Sequence, residues 1–258
     1  MNKLTLFEKI KYNIFPFFEF KKKNLSLSKK IYISLNTLMM AGVVLFISLY
    51  LFLSFFYQHT LKTNHITIYA NESMNDNKKF VDAVNYAEKR LQNSFLYNNT
   101  YTVQIYLIDN PWLYNYMATP FHMDTVATNI LDYINIRNQD IKASQNSYTF
   151  FSKEIVHEVT HTLQAIKYGG WIKSKLVIPY WVSEGYAEYI EEHKIVHKNP
   201  KNFLKKNQRN KNYTLYALMV KHAIEKMHYS VDDLHLGKVA YNKVLNSLLD
   251  EYHIPKTS

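Results

Sequence analysis

The longest apolar run in the chain lies over residues 35–57, and no charged residue falls within 31–58. About 20 apolar residues cross a bilayer as a helix, so this run predicts a single transmembrane helix over 35–57. Beyond it, hydrophobic and polar positions alternate in short stretches. Residues 66–70 and 101–109 predict strands, the second setting Val103, Ile105 and Leu107 against Thr102, Gln104 and Tyr106, with Asn110-Pro111 to end it. The segment 129–137 (NILDYINIR) predicts a further strand. Apolar residues recur at helical spacing over 76–96, then over 148–168, 181–194, 213–228 and 231–252. Strands first and helices afterwards predict an α+β class, not an alternating α/β sheet. The expected organisation is a lysine-rich tail over 1–34, the membrane helix over 35–57 and one domain over 58–258.

Charge refines this picture. The chain carries a net +10, of which +6 belongs to residues 1–30, where eight lysines face only Glu8 and Glu19. A basic flank beside an apolar run stays on the cytoplasmic side, which predicts contact with the lipid bilayer through 35–57 and places 58–258 outside the cell. A cleavable signal would have a shorter apolar core and a small-residue cleavage site, whereas Tyr57-Gln58-His59-Thr60 follows here, so an uncleaved anchor is expected. No nucleic-acid motif accompanies the charge, and nucleic acid is set aside as a partner. There are no cysteines, which excludes disulfides and thiol nucleophiles and leaves His and carboxylates as the only ligands for a metal. Heavy use of Lys, Asn, Tyr and Ile with only five glycines is the codon mark of an AT-rich genome, as in a low-GC bacterium.

The chemistry gathers in the second half. His157-Glu158-Val159-Thr160-His161 fits H-E-x-x-H, which on a helix sets two imidazoles one turn apart on one face. Glu158 sits beside the first ligand and can reach a water without entering the coordination sphere. Phe151, Ile155, Val159 and Leu163 form an apolar stripe on the opposite side, so one face packs while the other binds. Downstream comes Trp181-Val182-Ser183-Glu184-Gly185-Tyr186-Ala187-Glu188-Tyr189, with Gly169-Gly170 and Pro179 before it to turn the chain. A second helix there brings Glu184 against the first, giving two nitrogens and one oxygen and leaving a fourth position for water. Glu188, one turn on, is placed to accept a hydrogen bond from the free ring N–H of a ligating histidine.

These two segments resemble the gluzincin group of zinc metallopeptidases, and within it the peptidase MA-like family related to gluzincin aminopeptidases. The resemblance covers about 155–190 and runs more loosely to about 228. It implies a zincin-like domain with a small N-terminal sheet, an active-site helix and a helical C-terminal part. It also implies one Zn2+ on His157, His161 and Glu184, with Glu158 as catalytic base and a peptide or protein as substrate. Metzincins fit less well, since Lys167 stands where their third His would be and Gln164 replaces their glycine. The thermolysin pattern is absent, and Lys153 argues against an intramembrane protease. In related aminopeptidases a Tyr opening a later helix steadies the oxyanion, which implies Tyr213, with Tyr216 and His222 as alternatives on the same helix. The GxMEN-like loop that grips a free amine is missing, so aminopeptidase action is not implied. NILDYINIR is a candidate edge strand for an extended peptide. The alternative from another class is a tethered binding or assembly protein with little or no hydrolysis.

Overall fold

The computed structural model describes residues 27–72, 78–118, 126–130, 133–144, 146–191, 200 and 212–254. The chain divides into two compact units, 1–53 and 54–258. In the first, helix α1 runs Leu27–Phe52, with Leu35, Leu38, Met39 and Leu45 exposed on it. Residues 1–26, most of the expected tail, lie outside the described residues.

The membrane helix expected over 35–57 is corrected: among the described residues, no helix is long and apolar enough to cross a membrane. The uncharged run does not fold as one span. Helix α1 stops at Phe52 and gives way to a 3-10 turn, Leu53–Phe56. Asn36 and Thr37 also break the apolar sequence near its start. Between them and the helix end lie 15 residues, short of the roughly 20 that a bilayer requires.

The second unit is α+β. Its sheet has the order β1-β2-β3-β5-β4, from β1 His59–Lys62, β2 Ile66–Ala70, β3 Val103–Ile108, β4 Ala127–Ile130 and β5 Tyr133–Arg137. The three inner strands are parallel, and β1 and β4 join antiparallel at the two edges. Alternation places Ile68, Ile105 and Ile134 side by side in register, in one buried core with Val84, Leu91, Phe151 and Ile155. On the other face Tyr69 stacks on Tyr106 at 4.8 Å, and Tyr57 covers Tyr106 at 5.5 Å.

Helix α2, Lys78–Leu91, crosses from β2 to β3, and two short helices, α3 Pro111–Ala118 and α4 Asn138–Ala143, follow β3 and β5. Among the described residues the remaining helices are α5 Ser147–Lys167, α6 Trp171–Val177, α7 Tyr180–Glu191, α8 Tyr213–Glu225, α9 Val231–His235 and α10 Tyr241–Glu251. Two expectations are redrawn. NILDYINIR is not one strand: Ile130 pairs with Tyr133, so the segment belongs to an antiparallel pair, β4 and β5. The helix expected over 231–252 breaks into α9 and α10 at Gly237, whose φ of 67° suits glycine and ends the first helix.

Candidate metal centre

Helix α5 carries the two histidines because its other face is committed to the core. Phe151, Ile155, Val159 and Leu163 are at most 1% exposed, which fixes the rotation of the helix and turns His157 and His161 into a cleft. Helix α7 packs across α5 and delivers Glu184 from its first turns. Gly185 permits the next contact. A Cβ on it would lie 2.6 Å from the carbonyl oxygen of Tyr216, so the glycine lets α8 approach α7 backbone to backbone. That approach brings Tyr213, the first residue of α8, into the same cleft.

His157 Nε2 and His161 Nε2 stand 3.2 Å apart, and each is 3.5 Å from Glu184 Oε2. Ligand atoms about 2.0–2.1 Å from one ion at tetrahedral angles are separated by about 3.3 Å. The triangle therefore fits one small cation, and these three residues form a group that can hold a metal ion. The electrostatics agree. Burial alone would lower the His157 pKa, but Glu184, Glu191 and Glu158 outweigh it and hold it well above its ordinary value. Burial alone would raise Glu184, but His161 and His157 drive it far below the carboxylate range. A site that stabilises positive charge this strongly favours a cation.

The rear nitrogens of both imidazoles face further partners. His157 Nδ1 is 3.5 Å from Glu191 Oε2 and 3.8 Å from Glu188 Oε1. The distance to Glu188 is longer than the expected hydrogen bond, and Glu191 lies nearer. The spacing 184, 188, 191 sets all three carboxylates on the same face of α7. Glu191 also pairs with Lys153 at 3.4 Å. His161 Nδ1 faces Gln164 Oε1 at 2.9 Å, a partner the sequence reading did not assign.

The cleft has a volume of about 780 Å³. Glu158 lines it and is 9% exposed. Strand β4 forms one wall through Ala127, Thr128 and Asn129, and Asn129 Nδ2 donates to the Glu158 carbonyl at 3.0 Å and to Thr162 Oγ1 at 2.7 Å. Glu154 also opens onto the cleft; burial, with Glu158, Glu191 and Glu188 adding and His157 opposing, pushes its carboxyl up to about 8. Tyr180 and Tyr213 also line the cleft, their hydroxyls 3.2 Å apart. The Tyr213 ring lies 6.3 Å from that of His157. Of the three oxyanion candidates, Tyr213 is the one that lines the cleft. Tyr216 packs between Tyr180 and Tyr241, and His222 turns to Ser247 Oγ at 2.9 Å and Glu251 Oε2 at 2.7 Å. Tyr180 went unread in the sequence because it precedes the recognisable pattern by one residue.

Compared with known proteins, the chain matches no family model, and no curated protein or solved structure was found similar to it.

Proposed function

We propose that the chain is a zinc-dependent metallopeptidase with a gluzincin-type site, hydrolysing peptide bonds in a peptide or protein. The observation that carries this reading is the triangle of His157, His161 and Glu184 donor atoms at 3.2–3.5 Å, with Glu158 beside it in the cleft. Those donors, two imidazoles and a carboxylate, are a ligand set of catalytic zinc. Zinc held there supplies Lewis acidity, which polarises a scissile carbonyl and makes water acidic near neutral pH.

The protein's own groups do the rest. Glu158 takes a proton from the attacking water and returns it to the leaving amine. Tyr213 donates a hydrogen bond to the oxygen where negative charge develops. Burial and the charge of Glu184 raise its pKa, while the hydrogen bond with Tyr180 pulls the other way, so the phenol keeps its proton. Strand β4 pairs only with β5 among the described strands, leaving an edge beside the cleft on which an extended peptide can add a strand.

The test is metal analysis of the purified protein with His157→Ala and Glu184→Ala variants, followed by incubation with a mixed peptide library read by mass spectrometry. About one zinc per chain, weakened in both variants, together with zinc-dependent cleavage, is the expected result. A folded protein that takes up no zinc when it is supplied sinks the reading. One zinc without cleavage would favour the binding or assembly alternative.

A further inference from the structure

Behind His161 the hydrogen bonds lead to a side chain outside the ligand set. Gln164, three residues later on α5, is 2% exposed, and His235 on α9 is fully buried. Gln164 Nε2 lies 3.1 Å from the Ser183 carbonyl oxygen and 3.2 Å from His235 Nε2. Its Oε1 lies 2.9 Å from His161 Nδ1 and 3.0 Å from Ser183 Oγ.

These contacts decide which way the amide points. A carbonyl oxygen only accepts, so the atom facing Ser183 O must be the amide nitrogen. His235 requires the same orientation. Its Nδ1 is 2.8 Å from the Val231 carbonyl and carries the proton there, which leaves Nε2 as an acceptor for Gln164. Burial, against the Val231 bond, lowers the His235 pKa to about 4, and the ring stays neutral at pH 7. Turning the amide over would set its oxygen against two buried acceptors. With Oε1 facing His161, that ring's Nδ1 must donate. In the neutral ring its Nε2, the atom that faces His157 and Glu184, then keeps its lone pair.

We propose that Gln164 is a positioning residue that holds His161 in the tautomer able to bind a metal through Nε2, its own orientation being set by Ser183 and His235. The proposal rests on the metal-centre reading above. One amide thereby joins α5, α7 and α9, and the fit of α9 against α5 becomes part of what prepares the ligand. His157 is arranged differently, with the carboxylates of Glu188 and Glu191 behind it.

The experiment is zinc affinity at pH 7, by competition with a chromophoric chelator, for the full chain and for Gln164→Met, Gln164→Glu and His157→Ala. Thermal melting checks that each is folded. Nitrogen-15 histidine spectra of the zinc-loaded proteins report which ring nitrogen carries hydrogen. Removing such an outer partner weakens metal binding about 10- to 100-fold, and this is the loss expected for Gln164→Met. Gln164→Glu keeps an acceptor opposite Nδ1, but its other oxygen faces the Ser183 carbonyl and His235, which must take a proton to donate to it. It therefore recovers only part of the affinity that Gln164→Met loses, and the His161 Nδ1–H signal is present in the wild type and in this variant. If wild type itself takes no zinc, the metal-centre reading falls and this proposal with it. If wild type binds and Gln164→Met binds equally well, only the present proposal is overturned. Equal weakening in Gln164→Met and Gln164→Glu overturns it too, because the amide would then matter for packing alone. Should Gln164→Met not fold, the spectra of wild type and Gln164→Glu decide: hydrogen on His161 Nε2 in either one overturns the assignment.

Discussion

Glu158 and Glu184 are the same residue type on neighbouring helices, and their surroundings give them different work. One oxygen of Glu184 meets both imidazoles at 3.5 Å, so its charge is committed to that candidate metal position. Glu158 follows His157 directly in the helix and lines the cleft without joining that triangle. Replacing Glu158 with Gln should therefore leave zinc content unchanged and lower kcat by about 100- to 10,000-fold, the usual worth of a positioned base. Metal analysis beside steady-state kinetics checks both halves. Tyr213→Phe should retain zinc and KM while kcat falls by about 100-fold, the scale of one lost oxyanion donor. A Tyr213→Phe variant with wild-type kcat would move that role to Tyr180. The pairing of His157 with His161 was legible in the sequence because helical spacing fixes which side chains share a face, and Glu184 was legible from the pattern on the next helix. Gln164 and Tyr180 were not, since spacing says nothing of what packs opposite. Gln164 meets His235 across 71 positions of sequence.

At the scale of elements, the approach of α8 to α7 over Gly185 decides whether Tyr213 reaches the cleft. An added Cβ would lie 2.6 Å from the Tyr216 oxygen and 2.9 Å from its Cβ, and the first of these is backbone that cannot rotate away. Gly185→Ala should push the helices apart at a cost of about 1–3 kcal/mol, as overpacking does. In a domain of this size that lowers Tm by roughly 2–4 °C per kcal/mol. Because α8 carries Tyr213, kcat should fall further than zinc affinity does; calorimetry and chelator competition separate the two. Equal Tm for variant and wild type would show that the contact tolerates the methyl. The elements themselves were legible where one periodicity ran unbroken: β2 was read to the residue, and α5 nearly so. Reading failed where a run changed direction inside a continuous pattern. NILDYINIR reads as one run, and the pairing of Ile130 with Tyr133 separates two strands. The apolar run over 35–57 counts as one span by composition, yet the backbone leaves the α-helix at Phe52.

For the whole molecule, protons and metal compete for the same field, and the dependence of stability on pH should reveal it. In the metal-free protein two cleft groups have raised pKa values. Glu154 stands at about 8, chiefly through burial, and His157 lies well above its ordinary 6.5 because Glu184, Glu191 and Glu158 outweigh burial. A group raised on folding gives stability that is whole below its unfolded pKa and is lost as pH climbs through the folded one. For Glu154 that window runs from about 4.5 to about 8, and for His157 it opens above 6.5. His235 works in reverse, its folded pKa of about 4 making stability fall as pH drops from 6.5. Below 6.5 the Glu154 and His235 slopes oppose each other; above it only the losses remain. The chelator-treated protein should then lose stability steadily from pH 6.5 to 8. The zinc-loaded protein should not, because the cation supplies the positive charge that the protons had provided, and its binding releases them. The gap in Tm between the two forms should widen with pH. Glu154→Gln should flatten the metal-free curve and stabilise it at pH 7 by on the order of 3 kcal/mol, from the roughly 2.5 pH units between its unfolded pKa and pH 7 at about 1.36 kcal/mol each. Calorimetry of both forms at pH 6, 7 and 8 checks this. A gap that stayed constant over that range would mean that zinc and protons do not share the site formed by His157, His161 and Glu184.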